Sequence, residues 1–83
     1  MTALIDIVVR DRQGIKFDGK AKAVTAFNDT GKFDILPHHA NFITILRKKM
    51  TIHKSDGNID EFNVENGIMR VTGDKIDVYL GVK

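Results

Sequence analysis

The chain has 83 residues, with thirteen Lys/Arg against eleven Asp/Glu and no cysteine. A chain this short forms one domain and buries only about 60–65% of its unfolded surface, leaving little core to give up to a deep enclosed active site. Without cysteine there are no disulfides and no thiolate metal sites, which fits a reducing compartment.

At the start, Asp6 interrupts the apolar stretch that a signal peptide would need, and no apolar run approaches the ~20 residues of a membrane span. A soluble protein is expected, one that meets a membrane only through a partner. Ile5, Ile7 and Val9 alternate with polar neighbours and predict a first strand. Turn signals follow at Gln13-Gly14 and Asp18-Gly19. Ala21, Val24 and Ala26 then break the alternation by one residue, which predicts a β-bulge after Gly19.

Thr30-Gly31 marks the next turn. It leads into a short alternating piece and a corner at Pro37, whose ring fixes φ and pushes Leu36 into an extended conformation. The segment Gly31–Ala40 therefore predicts a stiff projecting corner, the kind of loop on a rigid scaffold where function tends to sit. Phe42, Ile45, Leu46, Lys49 and Met50 fall at helical spacing behind a possible Asn41 cap. The β-branched run Ile43-Thr44-Ile45 favours a strand instead. Three further alternating sets, Met50/Ile52, Phe62/Val64 and Ile76/Val78/Leu80, are separated by Asp56-Gly57, Asn66-Gly67 and Gly73-Asp74. Such pairs tolerate the positive φ of tight hairpins. The pattern predicts one all-β domain over residues 1–83, a small antiparallel β-sandwich or flattened barrel of about eight to ten short strands.

No constellation carries chemistry. His38 and His39 are adjacent and point apart on an extended chain, His53 sits on the outer face of a strand, and no spacing promises metal ligands. The only serine, Ser55, belongs to a turn; Asp60-Glu61 reads as a solvated strand start; there is no glycine-rich phosphate loop. No catalytic residue, cofactor or metal is expected. Residues 1–49 hold nine Lys/Arg against five Asp/Glu, whereas residues 50–83 hold four against six, and the densest cluster is Arg47-Lys48-Lys49. A small basic β-barrel binding single-stranded nucleic acid is thus an alternative. It needs aromatic side chains on which bases can stack; Phe33, Phe42 and Phe62 are assigned to the core, leaving Phe17 and Phe27 open.

Five segments, in order and in register, resemble the N-terminal domain of ATP synthase epsilon subunits, counterparts of the mitochondrial delta subunit. They are Leu4–Val9, Phe17-Asp18-Gly19, Gly31-Lys32-Phe33-Asp34-Ile35-Leu36-Pro37-His38-His39-Ala40, Phe42–Leu46 and Glu65–Val71. The resemblance implies a ten-stranded β-sandwich in the central rotor stalk, binding the gamma subunit and the c-ring and helping couple proton flow to ATP synthesis. It would be non-catalytic, without cofactor or nucleic acid and without a stable homo-oligomer. Its place would be the cytoplasmic face of a bacterial inner membrane, within the complex. By the same resemblance, Thr30, Gly31, Lys32 and Phe33 would face the c-ring, and His38, His39, Ala40 and Thr44 would face gamma. The sequence departs from the family in having Lys32 where Glu is frequent, and Asp34 and His38 where glycines are usual. Family members typically continue into a C-terminal helical hairpin that the 83 residues do not include. A chain without it is expected not to inhibit hydrolysis through a moving tail.

Overall fold

The computed structural model describes residues 3–38 and 41–81. Six strands follow one another: β1 (Ile5–Asp11), β2 (Gly14–Asn28), β3 (Gly31–Ile35), β4 (Phe42–Lys54), β5 (Ile59–Thr72) and β6 (Lys75–Leu80). The all-β sandwich or flattened barrel expected from the alternation is what forms. The short strands read from the sequence are joined into fewer, longer ones, because the chain runs through its irregular points without leaving the sheet. Asp18-Gly19 and Asn66-Gly67, expected as turns, both lie inside strands. Gly67 is buried there, and a Cβ on it would come within 3.1 Å of the Tyr79 carbonyl oxygen, so its missing side chain serves close packing, not a turn.

Neighbouring strands run in the order β1-β6-β5-β4-β2-β3, and β1 also pairs with β2. Five strands therefore close into a barrel, and β3 is added to the side of β2. All ladders are antiparallel except β1–β6, where the first and last strands run parallel. Closure works because β2 serves two partners along its length. Gly14–Ala21 pairs with β1, while Ala21–Phe27 pairs with β4. The register slips between Ala21 and Ala23, where the sequence predicts its bulge, and the extra residue bends the strand around the corner.

Period-two alternation fills the interior. Ile5, Ile7 and Val9 point inward from β1, Val24 and Ala26 from β2, Leu46, Met50 and Ile52 from β4, Met69 and Val71 from β5, and Ile76 and Val78 from β6. Among the described residues no polar side chain is buried. Phe17, Phe33, Phe42, Phe62 and Leu80 pack around the rim of this core. Three turns start with an Asp or Asn carboxylate or amide oxygen that accepts the backbone N–H two residues on: Asp11 from Gln13 at 2.8 Å, Asn28 from Thr30 at 2.9 Å, and Asp56 from Asn58 at 2.8 Å. In the β5–β6 turn, Gly73 takes φ +60°, a conformation glycine adopts without steric cost.

A second irregularity lies in β4. On its β5 side, Leu46 pairs with Gly67 but Lys48 with Val64; on its β2 side, Phe27 pairs with Arg47 but Ala26 with Met50. Lys48 and Lys49 thus have no partner on β2. Leu46 and Met50 are both fully buried, so a regular strand would send Lys48, which shares their parity, into the core. Lys48 instead adopts φ +66° and is exposed. A left-handed conformation costs a non-glycine residue roughly 1–2 kcal/mol, far less than burying an unpaired ammonium.

Candidate docking surfaces

The corner after β3 is pinned from two sides. His38, at φ +65°, donates its backbone N–H to Asp74 Oδ1 at 2.7 Å, and its Nδ1 lies 3.4 Å from Asp74 Oδ2. Asn41 Oδ1 accepts the Gly73 N–H at 2.7 Å, and the Asp74 carbonyl accepts the Asp6 N–H at 2.8 Å. Leu36 projects into solvent while Pro37 is half-buried. The β5–β6 turn thereby brackets the corner with hydrogen bonds at both of its ends.

The residues expected to face two different partners lie as follows. Thr30, Gly31 and Lys32 are exposed at the tip of the β2–β3 hairpin. Phe33 turns inward, half-buried, its ring edge-on to Phe42 with centroids 6.2 Å apart. His38 stands at the far end of β3. Thr44 sits nearer the hairpin, where its hydroxyl accepts from Asn28 Nδ2 at 3.3 Å and donates to the Ile45 carbonyl at 3.3 Å. His39 and Ala40 lie outside the described residues.

A surface that the sequence reading missed crosses three strands. Ile45 pairs with Ile68, and Ile68 with Tyr79, so their outward side chains form a row, with Ile43 beside it on β4. Ile43 is 69% exposed, Ile45 47%, Tyr79 45% and Ile68 36%, which makes this a continuous apolar stripe on an otherwise polar wall. It continues onto Arg10, whose guanidinium stacks 5.2 Å from the centre of the Tyr79 ring, and then to Ile15, opposite Arg10 on β2. The signal available in the sequence was Ile43-Thr44-Ile45-Leu46, apolar at both parities, which a strand with one watery face does not need.

On the other side of the β4 bulge, Phe27 is half-buried and opposite Lys32, and Lys48 Nζ lies 5.7 Å from the centre of its ring. Lys32, Lys49, Thr51 and His53 line a shallow open depression with Phe27 and Thr25. Thr25 Oγ1 donates to Asp34 at 2.7 Å and lies 3.1 Å from His53 Nε2.

Among the described residues no group of three or more His, Cys, Asp or Glu converges on a point that could hold a metal. Ser55 lies exposed in the β4–β5 turn, whereas a triad nucleophile sits buried beside a base and oxyanion donors. The backbone N–H groups of Gln13 and Asn58 hold the carboxyls of Asp11 and Asp56 below the usual range. Both are turn residues, and their shifts come from holding hairpins, not from catalysis.

The described residues thus form a closed barrel with an apolar interior, open shallow walls and an outward apolar stripe. Over residues 4–80 the chain matches the family described as ATP synthase, Delta/Epsilon chain, beta-sandwich domain. It belongs to that family. It is 30% identical over 79 residues to the ATP synthase epsilon chain of Wolinella succinogenes, an alignment that covers 94% of this chain and 60% of that one. Its fold is shared with a chain of the Euglena gracilis mitochondrial ATP synthase, solved as an OSCP/F1/c-ring assembly (TM-score 0.87, 16% identity, 94% of this chain and 51% of that chain). It is also shared with a chain of the Tetrahymena thermophila mitochondrial ATP synthase central stalk and c-ring (TM-score 0.72, 14% identity, 92% and 62%). The chain thus spans about half to three-fifths of the length of these relatives.

Proposed function

We propose that this domain is a non-catalytic part of the central rotor stalk of an F-type ATP synthase, at the cytoplasmic face of a bacterial membrane. There it holds the gamma subunit and the c-ring together and helps couple proton translocation to ATP synthesis. The observation that carries this reading is the apolar stripe Ile43–Ile45–Ile68–Tyr79, left outside a core that is already complete. Exposed contiguous apolar surface marks a protein interface, and the stripe is the gamma-binding side. Thr44, between Ile43 and Ile45, points to the opposite side of the strand, towards Asn28, and is not part of the stripe. The β2–β3 hairpin, with Thr30, Gly31 and Lys32 at its tip, meets the polar loops of the ring.

The barrel suits a part that must transmit torque. Sliding two halves of a closed sheet past each other breaks ladder hydrogen bonds on two sides at once, so the unit turns without shearing. The Asp74 contacts hold the His38 corner to the same body.

The test is co-purification with the gamma subunit after co-expression. A stable interface of this kind buries on the order of 1,200–2,000 Å² and survives moderate salt. An Ile43→Asp/Ile45→Asp chain is expected to fold and to lose gamma; retention at the native level sinks the proposal. Binding that weakens steeply with salt, towards oligonucleotides instead of gamma, would return the chain to the nucleic-acid alternative.

A further inference from the structure

We propose that the lysines around Phe27 receive an acidic loop, so that the contact at the β2–β3 hairpin runs with the chain as the cationic partner; this rests on the proposed placement of that hairpin against the ring. Three ammonium groups border a single half-buried ring. Lys32 stands directly across the ladder from Phe27, Lys48 Nζ lies over its face at 5.7 Å, and Lys49 lines the same depression. Among the described residues neither Lys32 nor Lys48 has a carboxylate within ion-pair distance. Lys49 reaches only Glu61, at 3.8 Å, with both side chains about half exposed. By contrast Arg47, one residue before, is paired with Asp29 at 3.1 Å.

Backbone strain points the same way independently. Lys48 holds a left-handed conformation that Gly or Asn would take at lower cost, and the effect of that conformation is to lift an ammonium out of line with the core and over Phe27. The two lysines of the bulge lack partners on β2, and both are exposed. Lysines act as point charges on flexible stems, suited to carboxylates presented by a loop of no fixed geometry.

A polypeptide fits better than a nucleic acid. Asp34 lies on the same outward face as Lys32, and Glu61 beside Lys49. A nucleic-acid backbone, charged at every nucleotide, would run into both, whereas one or two carboxylates sit between them. Phe27 is also capped by Lys48 and offers no open platform for a base.

The test is a titration of the ¹⁵N-labelled 83-residue chain with a short Glu-Gly peptide, followed by amide chemical shifts, with an oligothymidylate as the competing probe. The expected result is shifts concentrated at Phe27, Lys32, Lys48 and Lys49, weakening with salt, and an affinity loss of about tenfold or more in Lys32→Glu/Lys48→Glu. Equal affinity in the variant, or shifts spread over every surface lysine, overturns the proposal. So does tighter binding of the oligothymidylate at these amides, which would install the nucleic-acid reading. Lys32→Gln/Lys48→Gln gives the same readout if the glutamates disturb the fold. In the assembled complex the charge-reversed chain is expected to release the ring at lower salt than the native one. Loss of peptide binding with ring attachment unchanged would overturn the hairpin's placement against the ring and leave the acidic occupant standing.

Discussion

The two halves of β4 make an instructive pair. Before the bulge its outward residues are Ile43 and Ile45; after it they are Lys49, Thr51 and His53. Inward, both halves are alike, with Leu46 on one side and Met50 and Ile52 on the other, all fully buried. One strand thus builds a uniform core and two chemically opposite surfaces. The break between them falls where Lys48 leaves the ordinary strand conformation. The inner row is set by the need to fill the barrel, and the outer row is free to serve partners.

The largest expected effect breaks the inner row. Leu46→Ala should cost about 2–5 kcal/mol of folding stability, because a fully buried leucine leaves a cavity that a closed barrel relaxes into poorly. Urea unfolding measures it, and a loss under 1 kcal/mol would mean the residue is not in the core. Ile45→Asp on the outer row should reverse the profile. Stability should change by less than about 1 kcal/mol, since the residue is 47% exposed, while gamma binding should drop by roughly 2 kcal/mol, or about thirtyfold. If stability fell and binding held, the stripe would be part of the fold and not an interface.

The boundary itself is next. Lys48→Gly removes the steric cost of φ +66° at the price of a more flexible unfolded chain, so the unfolding free energy should stay level or rise by up to about 1 kcal/mol. A marked loss of stability would show that the lysine, and not the backbone, holds the bulge. Smallest is the acid response of the two hairpin turns. The carboxyls of Asp11 and Asp56 are held below their ordinary range by the Gln13 and Asn58 N–H groups. Because the folded values are the lower ones, their contribution to stability is present above the ordinary carboxylate pKa. It is lost as pH falls from there through the depressed values. Side-chain carboxyl NMR titration should find both midpoints below those of unstructured aspartates; ordinary midpoints would remove the turn hydrogen bonds from the account.

Alternation alone made the inner row legible. Ile5, Ile7, Val9, Met50, Ile52, Ile76 and Val78 are placed correctly by a period of two, and the bulge near Ala21 follows from a one-residue slip in that period. The β-branched run also decided correctly between strand and helix at Ile43–Ile45. The reading failed where local chemistry is ambiguous. Asn66-Gly67 carries the signature of a hairpin, yet Gly67 is wanted for a close approach to the Tyr79 backbone, which no local pattern announces. The stripe was invisible for a different reason. Its members are spread from Ile43 to Tyr79 and become neighbours only through two ladder registers. Of the residues expected to meet partners, the exposed hairpin tip was recoverable from turn chemistry, while the Asp74 contacts that pin His38 and the Phe33–Phe42 ring contact were not.

The parallel pairing of β1 with β6 carries a consequence for how the molecule comes into being. A nascent chain can zip β2 onto β1 and stack β4 on β5 as they emerge, but the ring has a gap until the last strand slides in beside the first. Until that moment the edges of β1 and β5 stay unpaired and sticky, so assembly should be slow, late and all-or-none. Damage to the closing strand should harm the yield of folded protein more than equal damage to β3, which is merely appended to the side of the ring.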